Sequence, residues 1–250
     1  MNILCIKNDT GSRIPGARFE PIKYYEQSQI HSKRKDKLVS IDIANLKTNS
    51  YKEVCELFNH YKFNFALGSD HTSTYYISKI VNISSKGSCL IIFDAHVDCY
   101  EKESGKILNW NFLNFLIEDY EKIIILGERN FLDPNMKHKD IIMISSFDLV
   151  FKKDIILTML EKELESIEKI YLSIDMDILD PSVFDSVSYP LIGGIQMIDL
   201  LFYLNKIIQT GKVFFCDIVE YNPMIGKDNA YLFFQFVQNC LLELEKCLGK

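Results

Sequence analysis

Short apolar runs alternate along this chain with longer stretches in which apolar residues return every three or four positions. The runs fall at residues 3–6, 38–43, 63–67, 89–93, 123–126, 141–144, 170–174 and 213–218. Rich in Ile, Val, Leu and Phe and bare of polar alternation, they predict strands covered on both faces. Between them Val54, Phe58 and Tyr61 share a helical face. Ile156, Met159, Leu160, Leu164 and Ile167 form a second stripe, and Met197, Leu200, Leu201, Leu204 and Ile208 a third. Phe233, Phe234, Val237, Cys240, Leu241 and Leu244 form a fourth. Such stripes predict helices with one side in the core. Strands alternating with helices predict an α/β fold, one mainly parallel sheet with helices on both sides. The few Gly and Pro residues gather near 11–21, 180–194 and 223–226, which read as loops. With no repeat or linker, residues 1–250 are expected to form a single domain.

Composition narrows the function. The net charge is −6 and the pI about 5.4, which argues against nucleic acid as a partner. No apolar run is long enough for a membrane span, and the first residues do not resemble a signal peptide. The seven cysteines, odd in number and without a CxxC, read as reduced thiols of a cytoplasmic protein.

Three of the runs end in a burst of Asp and His: Gly68-Ser69-Asp70-His71, Asp94-Ala95-His96-Val97-Asp98, and Asp175-Met176-Asp177-Ile178-Leu179-Asp180-Pro181. In an open parallel sheet ligands bind beyond the carboxyl ends of strands, so these groups should converge at one edge. Asp94, His96 and Asp98 stand at i, i+2 and i+4, which in a regular strand points all three to one face. Carboxylates gathered this closely need a cation. An oxygen-and-imidazole set suits a hard or borderline divalent metal.

These segments carry a resemblance to the ureohydrolase superfamily of arginases, agmatinases and formiminoglutamases. Gly68-Ser69-Asp70-His71 is similar to its Gly-Gly-Asp-His, and the second and third segments match its Asp-Ala-His-x-Asp and Ser-x-Asp-x-Asp-x-x-Asp-Pro, here beginning at Ser173. The Pro15–Pro21 segment, Gly127-Glu128-Arg129 and Glu220-Tyr221-Asn222-Pro223 resemble further family segments in the same order. The resemblance implies a three-layer α/β/α sandwich with an eight-stranded sheet and two Mn²⁺ ions per chain. It implies that Asp94 and Asp175 bridge the ions, with His71 and Asp98 on one and His96 and Asp177 on the other. Water activated by the pair would attack a guanidino carbon, with Asp98 assisting and Glu220 holding the guanidinium. Asp70 would orient His71 from behind.

The chain also departs from the family. The segment 107–112 has no histidine where relatives carry the one assigned to proton transfer to the leaving amine. Tyr100 and Asn109 are the expected substrate neighbours there, and one or the other is expected to hold a water that relays the proton. Cys99 and Tyr100 stand where arginases begin to read a free amino acid. This favours arginine held in a precursor peptide, as an atypical short member related to peptide arginases that form ornithine residues and urea. A small agmatine-like compound is the alternative; a free-arginine arginase, a single-zinc deacetylase and an inactive binding homologue rank lower. The lone Trp110 is expected to pack at a helix start, and His31, His60 and His138 to lie outside the site. A homo-oligomer is left open.

Overall fold

The computed structural model describes residues 1–32, 34, 36–42, 51–81, 86–101, 105–130 and 141–248. Eight strands form one sheet: β1 (Asn2–Lys7), β2 (Lys37–Asp42), β3 (Phe65–Leu67), β4 (Ser88–Phe93), β5 (Lys122–Glu128), β6 (Ile141–Ser145), β7 (Lys169–Asp175) and β8 (Val213–Val219). Their order is β2-β1-β3-β8-β7-β4-β5-β6, and every pairing is parallel. The helices are α1 (Glu20–His31), α2 (Tyr51–Tyr61), α3 (Thr72–Val81), α4 (Ser146–Phe151), α5 (Lys153–Glu163), α6 (Met197–Gln209) and α7 (Ala230–Leu248).

Alternation along the strands builds the two apolar layers. Cys89, Ile91 and Phe93 of β4 face one side, with Tyr24 of α1, Leu149 of α4, Leu160 of α5, Leu200 of α6 and Val237 of α7. Leu90 and Ile92 face the other, with Phe58 of α2, Ile77 of α3 and Phe112 and Leu113 of a 3₁₀ turn. Both faces are covered, as the continuous apolar runs require. The stripes fall on α2, α5, α6 and α7 as expected, except that α5 ends at Glu163, so Leu164 and Ile167 join the same core from beyond its end, and the Val54 side chain lies outside those described. Ile43 and His138 also lie outside the described residues.

Residues 11–21 are not all loop. Glu20 and Pro21 open α1, and His31 closes it with its ring 4.6 Å from that of Tyr231. Proline suits a first turn, where its missing N–H would be unpaired anyway. No helix among the described residues is long and apolar enough to cross a membrane.

Candidate metal centre and substrate cleft

The three Asp/His segments and Glu220 follow β3, β4, β7 and β8, which are neighbours in the sheet. Convergence therefore comes from strand order. It does not come from the pleat expected for Asp94, His96 and Asp98. β4 ends at Phe93, and Asp98 lies beyond it with φ 51°. Asp175 ends β7, and Asp177 sits on a 3₁₀ turn with its N–H on Asp175 Oδ1 at 2.8 Å. Ser69 and Glu220 are also left-handed, at 69° and 66°. A side chain in that region costs about 1–3 kcal/mol and persists where its surroundings over-determine it. Three of the four such non-glycine residues among the described ones thus lie in this site.

His71 Nδ1 faces Asp94 Oδ2 at 3.1 Å, Asp175 Oδ2 at 3.2 Å and Asp98 Oδ2 at 3.3 Å. A single ring nitrogen cannot serve three carboxylates. His71 Nδ1 and Asp94 Oδ2 are buried, and neither finds a hydrogen bond of good geometry despite the short distances. On the other side of Asp94, Oδ1 lies 3.5 Å from His96 Nδ1, which is 2.8 Å from Asp177 Oδ2. Asp94 thus joins two sets of potential ligands, with His71 and Asp175 on one hand and His96 and Asp177 on the other. The orphaned atoms and the shared carboxylate fit two divalent cations. Asp94 is the bridge this geometry favours, since it belongs to both sets while Asp175 belongs to one.

The charges read the same way. Burial opposes protonation of His71, but contacts with Asp175, Asp94 and Asp98 outweigh it and raise its pKa well above the ordinary value. Burial likewise opposes the charge on His96, yet Asp177 and Asp94 lift it to about 12. Burial and the Asp94 charge push Asp98 up to about 6. Burial, Asp177 and Asp94 raise Asp175 well above its usual range. Protons bind where cations would.

Behind the floor runs a chain of buried polar groups that sequence reading missed. His71 Nε2 meets Ser173 Oγ at 3.2 Å, and Ser173 Oγ meets Thr74 Oγ1 at 3.1 Å. Thr74 and Tyr171 both donate to Asp217 Oδ2, at 2.9 and 2.6 Å. This chain fixes the imidazole. Asp70, expected to orient His71, does something else. Its oxygens accept from Gly11 N, Asn8 Nδ2, Thr72 N and Thr72 Oγ1, so it ties the N-terminal loop to the start of α3. Gly11 is needed there, because a Cβ would come within 2.3 Å of Thr72 Cγ2. Arg129 braces the second set from outside, donating to the carbonyls of Asp177, Leu179 and Leu191.

Above the floor is a cleft of about 660 Å³ whose lining includes His96, Asp98, Asp175, Asp177 and Glu220. Glu220 is buried, and its Oε1 accepts from His71 N at 2.9 Å and Asn109 Nδ2 at 3.3 Å. Burial and the Asp70 charge push Glu220 up to about 8. Asn109 Oδ1 is buried without a partner. Tyr100 is on the rim, its OH accepting from Asn130 Nδ2 at 3.2 Å. Trp110 stands at a helix start, just ahead of the Asn111 cap of the 3₁₀ turn Phe112–Phe115, and it also faces the cleft. Its ring walls the cleft beneath the Arg13 guanidinium, 4.6 Å from the ring centre. Arg13 was overlooked because it sits in a loop just ahead of the Pro15–Pro21 segment.

A model of the arginase family matches residues 2–242. The chain belongs to the arginase family. Membership makes it a ureohydrolase, a hydrolase of carbon–nitrogen bonds in linear amidines. An uncharacterized 32.2 kDa protein of Methanothermus fervidus is 25% identical, over 85% of this chain and 80% of that protein. A formimidoylglutamase of Enterobacter sp. (strain 638) is 35% identical, but over 32% of this chain and only 26% of that protein. The crystal structure of a hypothetical agmatinase from Burkholderia thailandensis superposes with a TM-score of 0.82 at 18% identity, covering 100% of this chain and 87% of that one. That likeness shows a common fold, the sandwich expected from the sequence.

Proposed function

We propose that the chain hydrolyses an arginine-type guanidino group to an amine and urea on two divalent ions, Mn²⁺ being the expected pair. The observation that carries this reading is Asp94, which offers one oxygen to each of two histidine–carboxylate sets beneath a cleft walled by Glu220. His71, Asp94, Asp98 and Asp175 would hold one ion, and Asp94, His96 and Asp177 the other. Once bound, the pair would lower the pKa of a shared water enough to make it a nucleophile at neutral pH.

The chain's own groups do the rest. Glu220 pairs with the guanidinium, a planar fork of donors that a carboxylate matches. Its grip on the His71 amide keeps that carboxylate registered to the metal floor. Asp98, at the floor's edge, accepts a hydrogen bond from the attacking water. No histidine stands at 107–112, so the leaving amine takes its proton through a water held by the free Oδ1 of Asn109.

Arginine within a peptide is the favoured substrate. Cys99 is buried and cannot read an α-amino or α-carboxylate group, while the cleft exceeds the needs of one guanidino group. A small free compound of the agmatine kind is the second reading, since the inner wall of Glu220 and Asn109 suits any guanidino head. Urea release with Mn²⁺ tests both. For a peptide substrate, kcat/KM is at least ~10-fold higher for internal arginine than for free arginine. Turnover of agmatine with none of the peptides replaces the first reading by the second.

A further inference from the structure

Two arginines share the N-terminal loop, and they are placed differently. Arg18 is paired, its Nε 3.2 Å from Asp9 Oδ1, and Asp9 also holds Gly16 N at 3.0 Å. Arg13 has no carboxylate partner among the described residues. Its guanidinium lies over Trp110 on the cleft wall, exposed to the solvent that fills the cleft. Cation–π contact with tryptophan holds a guanidinium without using its donors, which remain free.

The placement is also firm. Gly11 donates to Asp70 Oδ2 at 2.9 Å, and its carbonyl accepts Asn109 N at 3.2 Å. Ser12 Oγ accepts from Ile14 N at 3.2 Å, bracketing Arg13 in a local turn. The loop that carries Arg13 is thereby stitched to the loop that carries Asn109 and Trp110. An unpaired cation at the mouth is unexpected in a site whose floor seeks cations and whose substrate brings another. A cationic tail arriving here would meet like charge. A carboxylate would meet a planar fork that it can engage with two parallel hydrogen bonds.

We propose that Arg13, seated on Trp110, reads a carboxylate on the part of the substrate that projects from the guanidino group, so that the chain prefers guanidino acids to guanidino amines. This rests on the guanidino-hydrolase reading and narrows it. The carboxylate could belong to a free guanidino acid, or to an acidic neighbour or C-terminus in a peptide; the chemistry at Arg13 is the same.

The sharp comparison is 5-guanidinopentanoate against agmatine, which share a four-methylene spacer and differ in the terminal charge. The expected kcat/KM ratio favours the acid by at least ~10-fold, as for a hydrogen bond to a charged group. Arg13→Gln should bring that ratio down by about the same factor, and Arg13→Lys should restore part of it. Trp110, the only tryptophan, gives a second readout that needs no turnover. Its emission in the Mn²⁺-loaded protein should saturate at lower concentrations of the acid than of agmatine, and Arg13→Gln should remove the difference. Matched peptides, Arg-Asp against Arg-Asn and free against amidated C-termini, identify which source of carboxylate is read. A ratio unchanged in Arg13→Gln, with equal Trp110 titrations for acid and amine, overturns the proposal. If no guanidino compound yields urea but the titrations still separate acid from amine through Arg13, the hydrolase reading fails and the carboxylate site stands.

Discussion

Glu220→Gln separates substrate binding from the metal floor. The amide is nearly isosteric, and its carbonyl oxygen can still accept the His71 N–H now 2.9 Å from Glu220 Oε1. The loop should therefore keep its left-handed turn, and the Mn²⁺ content should not change. What is lost is the negative charge opposite the guanidinium, in a position buried from water. Breaking one side of a buried, charge-assisted pair costs ~2–5 kcal/mol. At about 1.4 kcal/mol per decade, kcat/KM falls between roughly 30-fold and several thousand-fold. The pH profile supplies a second signature. Burial pushes Glu220 up to about 8 before cations arrive, and the guanidinium binds its ionised form. The wild-type kcat/KM then rises with pH on an acid limb at or below that value, and Glu220→Gln lacks the limb. Urea release and elemental analysis on the same preparations suffice. A variant with kcat/KM within ~3-fold of wild type would refute the pairing, and loss of metal would show that Glu220 serves the floor.

Three further outcomes follow from the same geometry. Ser173→Ala removes the partner of His71 Nε2 and should weaken Mn²⁺ binding ~10–100-fold at unchanged fold, as read by metal titration with circular dichroism. Without metal, Glu220 pushed up to about 8 and Asp98 to about 6 bind more protons folded than unfolded. Their stability is present below the ordinary carboxylate range and lost as pH rises through those values, so the metal-free Tm should fall from about pH 4 to 8; calorimetry showing a rise would contradict this. Mn²⁺ would displace the Asp98 proton, so its stabilising effect should grow as pH rises through the Asp98 value of about 6. Asn109→His puts an imidazole beside Glu220, and kcat should rise if the water relay limits turnover; an unchanged or lower kcat shows the relay is adequate.

The eight strands were legible because a strand buried on both faces has an apolar run as its signature, and all eight runs became strands of one parallel sheet. Helices were legible where one face meets the core, as in α6 with Leu200, Leu204 and Ile208. α1 was not, since Glu20, Pro21 and Tyr24 are its only buried residues and leave no stripe. α4 escaped for its shortness, although Ser145 caps it by accepting from Asp148 N, a spacing visible in Ser145-Ser146-Phe147-Asp148. The candidate ligands were legible because carboxylates and imidazoles at strand ends have few other reasons to gather. Their arrangement was not, for it depends on left-handed turns at Asp98 and Glu220 that nothing in those residue types announces. Asp70 shows the limit of adjacency: next to His71 in sequence, it spends its oxygens on Gly11, Asn8 and Thr72. Ser173, Thr74 and Asp217, far apart in sequence, support the imidazole instead.

The central claim is a two-ion floor shared through Asp94, and metal content measures it most directly. Protein stripped of metal, reloaded with Mn²⁺ and freed of excess should hold about two ions per chain, with urea release restored in step. Asp94→Asn, which takes the charge from a carboxylate common to both sets, should lose most of both ions and most of the activity. One zinc per chain, indifference to Mn²⁺ and an Asp94→Asn variant with its metal intact would contradict the account.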